Sequence, residues 1–379
     1  MKKFFYLAVA ACAALAACSK NEVTPIDVDQ QITFQAVVNK ASTKAGTFDN
    51  SVKYPTDRPF GTYAFFYTTS GGYTKDADKY IDNAKVENAT NTTSGQAWTT
   101  NPVYYWPKQG YLTFMSYSPY EALSSKVSCE ATASAPAEII IKDWDVDANQ
   151  TVDIMIADRK DDQNSNGSND GYTGVSTVFR HKLAQLVNFS IATTSDFSNL
   201  DGESNPQAGS KLFFLKKIEI KGVTSNGTFN SGIKPGDGTT ETTLGVWQAA
   251  TTPQTKNYTW YDNAAETLTK GAEYEFKNTA ISLKSGSIKT NGYLLVRPQS
   301  FTDTETQQVT VTYVIRTYSS ASAYSDETVT QSFNIYKATP SWEINKKYSF
   351  NITVGLDQIY WAPSIEDWAD GTSTTVSKS

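Results

Sequence analysis

The chain has 379 residues, a formal net charge of −6, an aromatic content of 13%, three cysteines and one histidine. This length predicts two domains, or three. The acidic balance and the lack of any basic run exclude the charge pattern of a nucleic-acid-binding protein. The single histidine excludes metal sites that need two histidine ligands, and it leaves one candidate base for a Ser-His-Asp arrangement.

The N-terminal stretch has the pattern of a secretory signal peptide. Two lysines precede an apolar run that is too short to span a bilayer, and small residues follow it. The sequence "LAAC", which ends at Cys18, resembles the box at which bacterial lipoproteins are cut and acylated. Acyl chains anchor a protein by burying CH₂ groups, at about 0.8 kcal/mol each. We predict a signal peptide over residues 1–17 and a lipidated tether over residues 18–30; the alternative is an ordinary signal peptide with an unmodified cysteine.

A strand pattern follows the tether. In "QITFQAVV" the side chains of Ile32, Phe34, Ala36 and Val38 fall on one face, because successive residues of a strand point to opposite faces. The same alternation recurs in "QQVTVTYVIRT" and "KKYSFNITV", and Asn-Gly and Asp-Gly pairs separate the short apolar runs. Tyr, Thr and the β-branched residues favour strands. We therefore predict an all-β fold of antiparallel β-sandwich domains.

The stretch "RKDDQNSNGSNDGYTG", residues 159–174, is polar, contains glycine and lacks an apolar period. It predicts an exposed connection between two domains, residues 31–160 and residues 175–368. Once the signal is removed and Cys18 is acylated, Cys129 is the one thiol left. No internal disulfide is predicted, so packing must hold the fold together.

The same polar stretch has a second interpretation. Asp162, Asn164, Asn166 and Gly167 match the start of a calcium-binding loop, in which oxygen ligands alternate along the chain. Thr173 stands at the twelfth position, where such a loop has a bidentate Glu. A solvated linker explains the same composition and is favoured, so no metal and no cofactor are predicted.

The segment "FRHKLAQLVNFSI" is compatible with a helix, but Val187, Phe189 and Ile191 continue a strand alternation, which we favour. On a strand, His181 shares a face with Leu183 and Val187, and a packed core histidine is predicted. The sequence contains no phosphate loop, nucleotide fingerprint or HExxH zinc motif. No catalytic residue and no enzymatic activity are predicted.

Two aromatic clusters have two interpretations. They are "YYWP" (Tyr104–Pro107) and "IYW" (Ile359–Trp361). Exposed rings of this kind stack on sugars, which would make the protein a surface glycan-binding lipoprotein. Buried rings fill sandwich cores, which is the favoured interpretation. A coplanar Trp/Tyr pair on an exposed face would discriminate in favour of the glycan platform.

The order of these segments resembles a known family. The lipoprotein box is followed by "ITFQAVV", "STKA" and "FGTYAFF", then by "YYWP", "YLTFMSYSP" and "DIMIAD", and the chain ends with "WEINKKYSFNITVGLDQIYWAPSIEDWADG". Over residues 30–370 this order resembles the fimbrillin-like lipoproteins of Bacteroides-type bacteria. The resemblance implies two β-sandwich domains of transthyretin-like Greek-key topology. It also implies a structural or accessory subunit of a fimbria (pilus) that mediates adhesion at the cell outer membrane.

The resemblance further implies how subunits assemble. A protease cuts after the first strand, the strand leaves with its lipid, and a strand of another subunit fills the groove. Relatives carry an arginine at the cut where this chain has Lys44, so Lys44 or Lys40 is the predicted processing site. The donor would come from near the C-terminal end, where "GLDQIYW" is a candidate unless it is a fixed strand. The alternative is a subunit that is never cut and serves as an anchor.

The predicted partners follow from the same resemblance. They are other fimbrial subunits, bound by β-strand addition at the exchangeable first strand, and the outer membrane, bound through the lipid on Cys18. A ligand on a host or bacterial surface would be the target of adhesion.

Overall fold

The computed structural model describes residues 31–38, 54–88, 98–165, 174–194, 206–232, 245–263, 267–283, 293–304, 306–355 and 359–368. These residues form 24 strands and two four-residue helices, α1 (Tyr120–Leu123) and α2 (Ile335–Ala338). The predicted all-β class is confirmed. Neither helix of this described part has the length or the apolar character needed to cross a membrane. Cys18, Lys40 and Lys44 lie outside the described residues.

Eight strands build the first sheet. They are β1 (Thr33–Val38), β2 (Phe60–Tyr67), β3 (Asp78–Asn88), β4 (Trp98–Asn101), β5 (Tyr111–Ser118), β8 (Met155–Ala157), β9 (Lys160–Gln163) and β10 (Val175–His181). Their order is β2-β3-β4-β1-β10-β8-β5-β9, and β2 also pairs with β5. The sheet therefore closes on itself into a ring. β9 is not part of the ring and pairs with β5. An apolar cluster that includes Phe34, Phe60, Phe114 and Phe179 fills the ring.

Strands β2 and β5 are buried on both faces. Phe60 and Phe114 belong to the cluster inside the ring, whereas Tyr63 and Tyr117 belong to a second cluster outside it. This double burial explains why "FGTYAFFY" and "YLTFMSYS" are apolar or aromatic nearly throughout, whereas strands with one wet face alternate.

A four-stranded sheet covers the outer face of the ring. Its order is β14 (Val246–Ala249), β13 (Asn226–Asn230), β7 (Glu138–Asp145) and β6 (Val127–Glu130). The second apolar cluster joins Ile139, Ile141 and Phe229 of this sheet to Tyr63 and Tyr117 of the ring. Because β7 and β13 pair, strands from distant parts of the chain share one sheet.

Two more sheets enclose a third apolar cluster. One has the order β17 (Ile281–Ser282), β11 (Ala184–Thr193), β23 (Lys346–Val354) and β24 (Ile359–Asp367), with β18 (Leu294–Val296) also on β11. The other has the order β15 (Thr255–Asp262), β12 (Lys211–Thr224), β20 (Gln308–Tyr318) and β21 (Tyr324–Asn334), with β16 (Glu275–Phe276) also on β12. β19 (Gln299–Ser300) pairs with β22 (Ser341–Trp342). Across the cluster, the ring of Phe189 lies 5.0 Å from that of Trp260.

The predicted boundary at residues 159–174 does not coincide with a change of sheet. β9 lies within that stretch and β10 follows it, yet both belong to the first sheet. The chain leaves this sheet to form β6 and β7, returns with β8, and leaves it for the last time after His181. A surface loop between two strands of one sheet has the same polar, glycine-bearing composition as a domain linker, so composition alone could not separate them.

The sheets are antiparallel except at two long-range strand pairs, β1 with β10 and β11 with β23. Parallel neighbours require a long connection, and local sequence patterns do not reveal such partners. The Greek-key topology implied by the family resemblance stays a prediction.

The segment "FRHKLAQLVNFSI" is extended, but it does not form one continuous strand. β10 ends at His181, and β11 begins three residues later in a different sheet. A bulge after Leu186 shifts the alternation and leaves Val187 half-buried. The predicted common face of His181, Leu183 and Val187 is therefore wrong, because the chain changes sheet and phase between them.

Candidate strand-exchange site

The first strand of the chain lies inside the ring sheet. On one side β1 runs parallel to β10 over the residues Phe34 to Val38. On the other side it is antiparallel to β4, but only at Thr33 and Phe34. β1 is thus the single strand that bridges β4 and β10.

The four side chains predicted to face inward are all buried in the apolar cluster of the ring: Ile32, Phe34, Ala36 and Val38. The ring of Phe34 packs edge-on against those of Phe60 and Phe114, with centroids 5.8 and 5.7 Å apart. Such edge-to-face pairs add about 0.5–1.5 kcal/mol beyond area burial. β1 therefore contributes side chains to the core as well as backbone pairing to the sheet.

The aromatic segment "YYWP" holds the start of β1. The Ile32 N–H donates to the Tyr104 carbonyl oxygen at 2.9 Å, and Gln31 forms a bridge with Tyr105. The Trp106 ring packs edge-on against Phe114 at 5.7 Å, whereas the Tyr105 ring is 53% exposed. Tyr104 and Trp106 are half-buried and pack against the core cluster without belonging to it, so the prediction of buried core rings is met only in part.

Gly174 brings β10 close to β1. Its φ is +149°, and a Cβ there would lie 2.9 Å from the carbonyl oxygen of Thr33. Only glycine adopts this conformation without strain and leaves the space. A larger residue would push apart the strands whose pairing holds β1.

The ring defines what a departure of β1 would leave behind. β10 would lose its backbone partner along the whole contact, and an apolar groove walled by Phe60, Trp98, Phe114 and Phe179 would open. Unpaired backbone groups beside alternating pockets are the acceptor used in β-strand addition. Residues 31–38 carry no ionisable side chain, so such a groove selects an uncharged, alternating strand.

The candidate donor "GLDQIYW" is in use elsewhere in this structure. Its last three residues, 359–361, begin β24 and pair with Ile352 to Val354 of β23. Residues 356–358 lie outside the described residues. Residues 359–361 thus belong to a strand of another sheet here, and they could be donated only by leaving β23.

Sequence reasoning missed the two strands that flank β1. β4 follows a segment outside the described residues, and β10 was predicted to open the second domain. Gly174, directly before the apolar run of β10, was the available signal for a close backbone approach. The parallel pairing itself has no local signature.

The candidate calcium loop is only partly described. Asp162 has φ of +56°, and its Oδ1 accepts from the Gly71 N–H at 2.7 Å and from the Tyr67 hydroxyl at 3.1 Å. Asn166 and Gly167 lie outside the described residues. Within the described ranges, no three His, Cys, Asp or Glu side chains are placed to hold a metal ion.

His181 is buried at the end of β10 with 2% exposure. Its Nδ1 lies 2.7 Å from Oδ2 of Asp153, and its ring stacks on Trp368 with centroids 4.2 Å apart and planes 6° apart. The Trp368 N–H donates to the Asn345 carbonyl oxygen at 2.8 Å. The histidine thus joins the end of the ring sheet to the last described residue of the chain, which is a structural role.

Replacing His181 with Ala should lower the free energy of unfolding by about 2–4 kcal/mol, because a buried ring and its contacts are lost. Urea unfolding of both proteins measures this change. His181→Phe keeps a stacking ring and should lose less. A hydrolytic activity that His181→Ala abolishes at an unchanged melting temperature would contradict the structural role.

The described aromatic rings do not form an exposed, coplanar pair. The stacked pairs Tyr67–Tyr111 and Tyr117–Tyr120 each contain a buried ring. Exposed Tyr324 is tilted by 60° from its neighbour, buried Tyr318. No observation on the described surface favours the glycan platform.

Comparison with known proteins agrees with this fold. A fimbrial protein from Bacteroides vulgatus ATCC 8482 is similar in structure, with a TM-score of 0.59 and 15% identity over 89% of this chain and 99% of that chain. The tip fimbrial protein Mfa3 from Porphyromonas gingivalis is similar at a TM-score of 0.34 and 11% identity, over 83% of this chain and 95% of that chain, which supports no further argument. No curated protein sequence matches the chain. The family model described as fimbrillin-like matches residues 43–368, and the chain therefore belongs to the fimbrillin-like family.

Proposed function

We propose that this protein is exported as a lipoprotein and becomes a structural or accessory subunit of a cell-surface fimbria, joined to its neighbours by exchange of the first strand. The family supports the fimbrial role. The partners are other fimbrial subunits that offer a strand, and the fimbria presents the protein for adhesion to another surface.

The placement of β1 supports the exchange. It is short, close to the N-terminal end and uncharged, yet all four inward side chains are buried in the core. A strand supplied by the chain itself covers the groove until assembly, which prevents premature pairing between subunits. Cutting between β1 and β2 would free it without breaking either strand.

Lys40 and Lys44 are the proposed cutting positions. Both lie between β1 and β2 in a polar segment, which is the kind of site that proteases reach. A lysine in place of the usual arginine favours a protease that accepts lysine. A subunit that is never cut would retain β1 and its lipid and act as an anchor.

Cys18→Ala should release the protein from the membrane fraction, because the variant has no site for the acyl chains that provide the anchor. Fractionation of cells followed by immunoblotting measures this, and Cys129→Ala is the matched control that should stay in the membrane fraction. Unchanged membrane association of Cys18→Ala would refute the lipoprotein proposal.

Mass spectrometry of the protein on intact cells tests the assembly proposal. We expect an acylated N-terminus at Cys18 in the precursor and an N-terminus just after Lys40 or Lys44 in the assembled form. An assembled form that begins at Cys18 with its lipid would assign the anchor role instead.

A further inference from the structure

Arg297 is buried beside the four-stranded sheet, and no acid among the described residues pairs with it. Arg297 is 8% exposed, and its Nε has no hydrogen-bond partner in the described part of the chain. Burial lowers the pKa of its guanidinium, with no acidic neighbour opposing that shift. By contrast, Arg159, Arg180 and Arg316 each pair with Asp or Glu. Charged groups are rarely buried without a partner, so Arg297 calls for an explanation.

The stem of Arg297 crosses Gly227 in β13. A Cβ on Gly227 would lie 2.9 Å from Cδ of Arg297 and 2.7 Å from the Gln248 carbonyl oxygen, so the glycine makes room for the arginine. The residue opposite Gly227 in β7 is Trp144. Directly opposite residues of an antiparallel pair share a face, with Cβ positions about 4.5–5.5 Å apart. The Trp144 ring therefore projects from the face that Arg297 crosses.

Trp144 also has a buried donor without a partner. Its ring is 4% exposed, and within the described residues no acceptor lies in hydrogen-bond range of its Nε1. Trp247, which also neighbours Gly227, differs because its Nε1 donates to the Lys182 carbonyl oxygen at 2.5 Å. Indole and guanidinium groups only donate hydrogen bonds. The two atoms without a partner, Nε of Arg297 and Nε1 of Trp144, are thus both donors on side chains that neighbour one glycine, and the arginine is cationic.

We propose that Arg297 and Trp144 form a binding site for a carboxylate. A carboxylate only accepts hydrogen bonds, is negatively charged and matches the fork of a guanidinium, and the indole N–H would supply a further donor. Arg297 is 8% exposed, and a carboxylate would have to approach it from that side. The carboxylate is either a free small anion or the side chain of an Asp or Glu on another polypeptide. The site is remote in sequence from β1 and does not depend on strand exchange.

Thermal unfolding of the full chain tests the site. Sodium acetate should raise the melting temperature in a saturable way relative to sodium chloride at equal ionic strength, because a ligand that binds only the folded state stabilises it. N-acetyl-aspartate amide serves as a second probe. A rise with acetate alone assigns the site to a free small carboxylate, and a rise with the blocked aspartate assigns it to a residue of a polypeptide.

Three variants identify the donors. Arg297→Gln should abolish the saturable rise. Trp144→Phe keeps a ring but removes the N–H donor, and it should weaken acetate binding about tenfold, as the loss of one charge-assisted hydrogen bond predicts. Arg316→Gln is the matched control, because that guanidinium already pairs with Asp326 at 2.7 and 2.8 Å and should not contribute.

The proposal is overturned if neither probe raises the melting temperature above that of the chloride control. It is also overturned if acetate raises the melting temperature of Arg297→Gln as much as that of the unaltered protein. A second readout does not depend on that variant folding. The Trp144 indole N–H resonance, identified by its absence from Trp144→Phe, should move saturably when acetate is added to the unaltered protein. A resonance that stays in place would show that water alone occupies these donors and would refute the proposal.

Discussion

Phe34→Asp should leave little of the uncut protein folded. Phe34 is fully buried, and its ring contacts Phe60 and Phe114 in the core of the ring sheet. Losing a buried phenylalanine costs about 3–5 kcal/mol, and burying a carboxylate in its place costs more. Because domains are stable by only about 5–15 kcal/mol, the change approaches the whole stability. Circular dichroism and urea unfolding of the purified variant measure the loss.

Two further variants distinguish the effect of the buried position from the effect of introducing an acid. Phe34→Leu keeps an apolar side chain and should cost much less. Tyr105→Asp makes the same aromatic-to-acid change at a side chain that is 53% exposed, next to the start of β1, and should leave stability nearly unchanged. If the Phe34→Asp variant were as stable as the Tyr105→Asp variant, the side chains of β1 would not be part of the core.

Removing residues 31–38 should prevent the ring sheet from closing. The protein lacking these residues should aggregate or unfold, because β10 loses its partner and the apolar groove is open to water. A synthetic peptide of the sequence "QITFQAVV" added during refolding should restore a soluble monomer. Size-exclusion chromatography with light scattering measures the recovery.

The matched control is the same peptide with Phe34 replaced by Asp, which keeps its length and backbone but cannot bury that side chain. It should fail to restore the monomer. Equal rescue by both peptides would show that the groove does not require the apolar side chain at position 34 of the peptide. A truncated protein that is monomeric and folded without any peptide would show that β1 is dispensable.

The inward face of β1 could be predicted because alternation is a local property. Ile32, Phe34, Ala36 and Val38 follow a strict period of two, and all four are buried. The partner of β1 could not be predicted in the same way. β10 lies more than a hundred residues away and pairs in parallel, which leaves no turn signal between the strands.

The remaining differences have similar causes. The polar stretch at 159–174 has the composition of a linker, but β9 and β10 return to the first sheet. The burial of His181 was predicted from a face shared with Leu183 and Val187 that does not exist, and its contacts with Asp153 and Trp368 depend on tertiary packing. Arg297 and Trp144 carry no motif, and it is the strand pairing at Gly227 that places both side chains next to one glycine.

Limited trypsin treatment of the soluble full chain tests the exchange of β1 most directly. The clipped protein is mixed with an isotope-labelled peptide of residues 31–38, cross-linked mildly, and analysed by electrophoresis and mass spectrometry. The proposal predicts a first cut at Lys40 or Lys44, replacement of the original strand by the labelled peptide, and a ladder of oligomers when no peptide is added. A loop that stays intact while trypsin cuts elsewhere would contradict it, as would a clipped protein that remains a stable monomer after its first strand has fully dissociated.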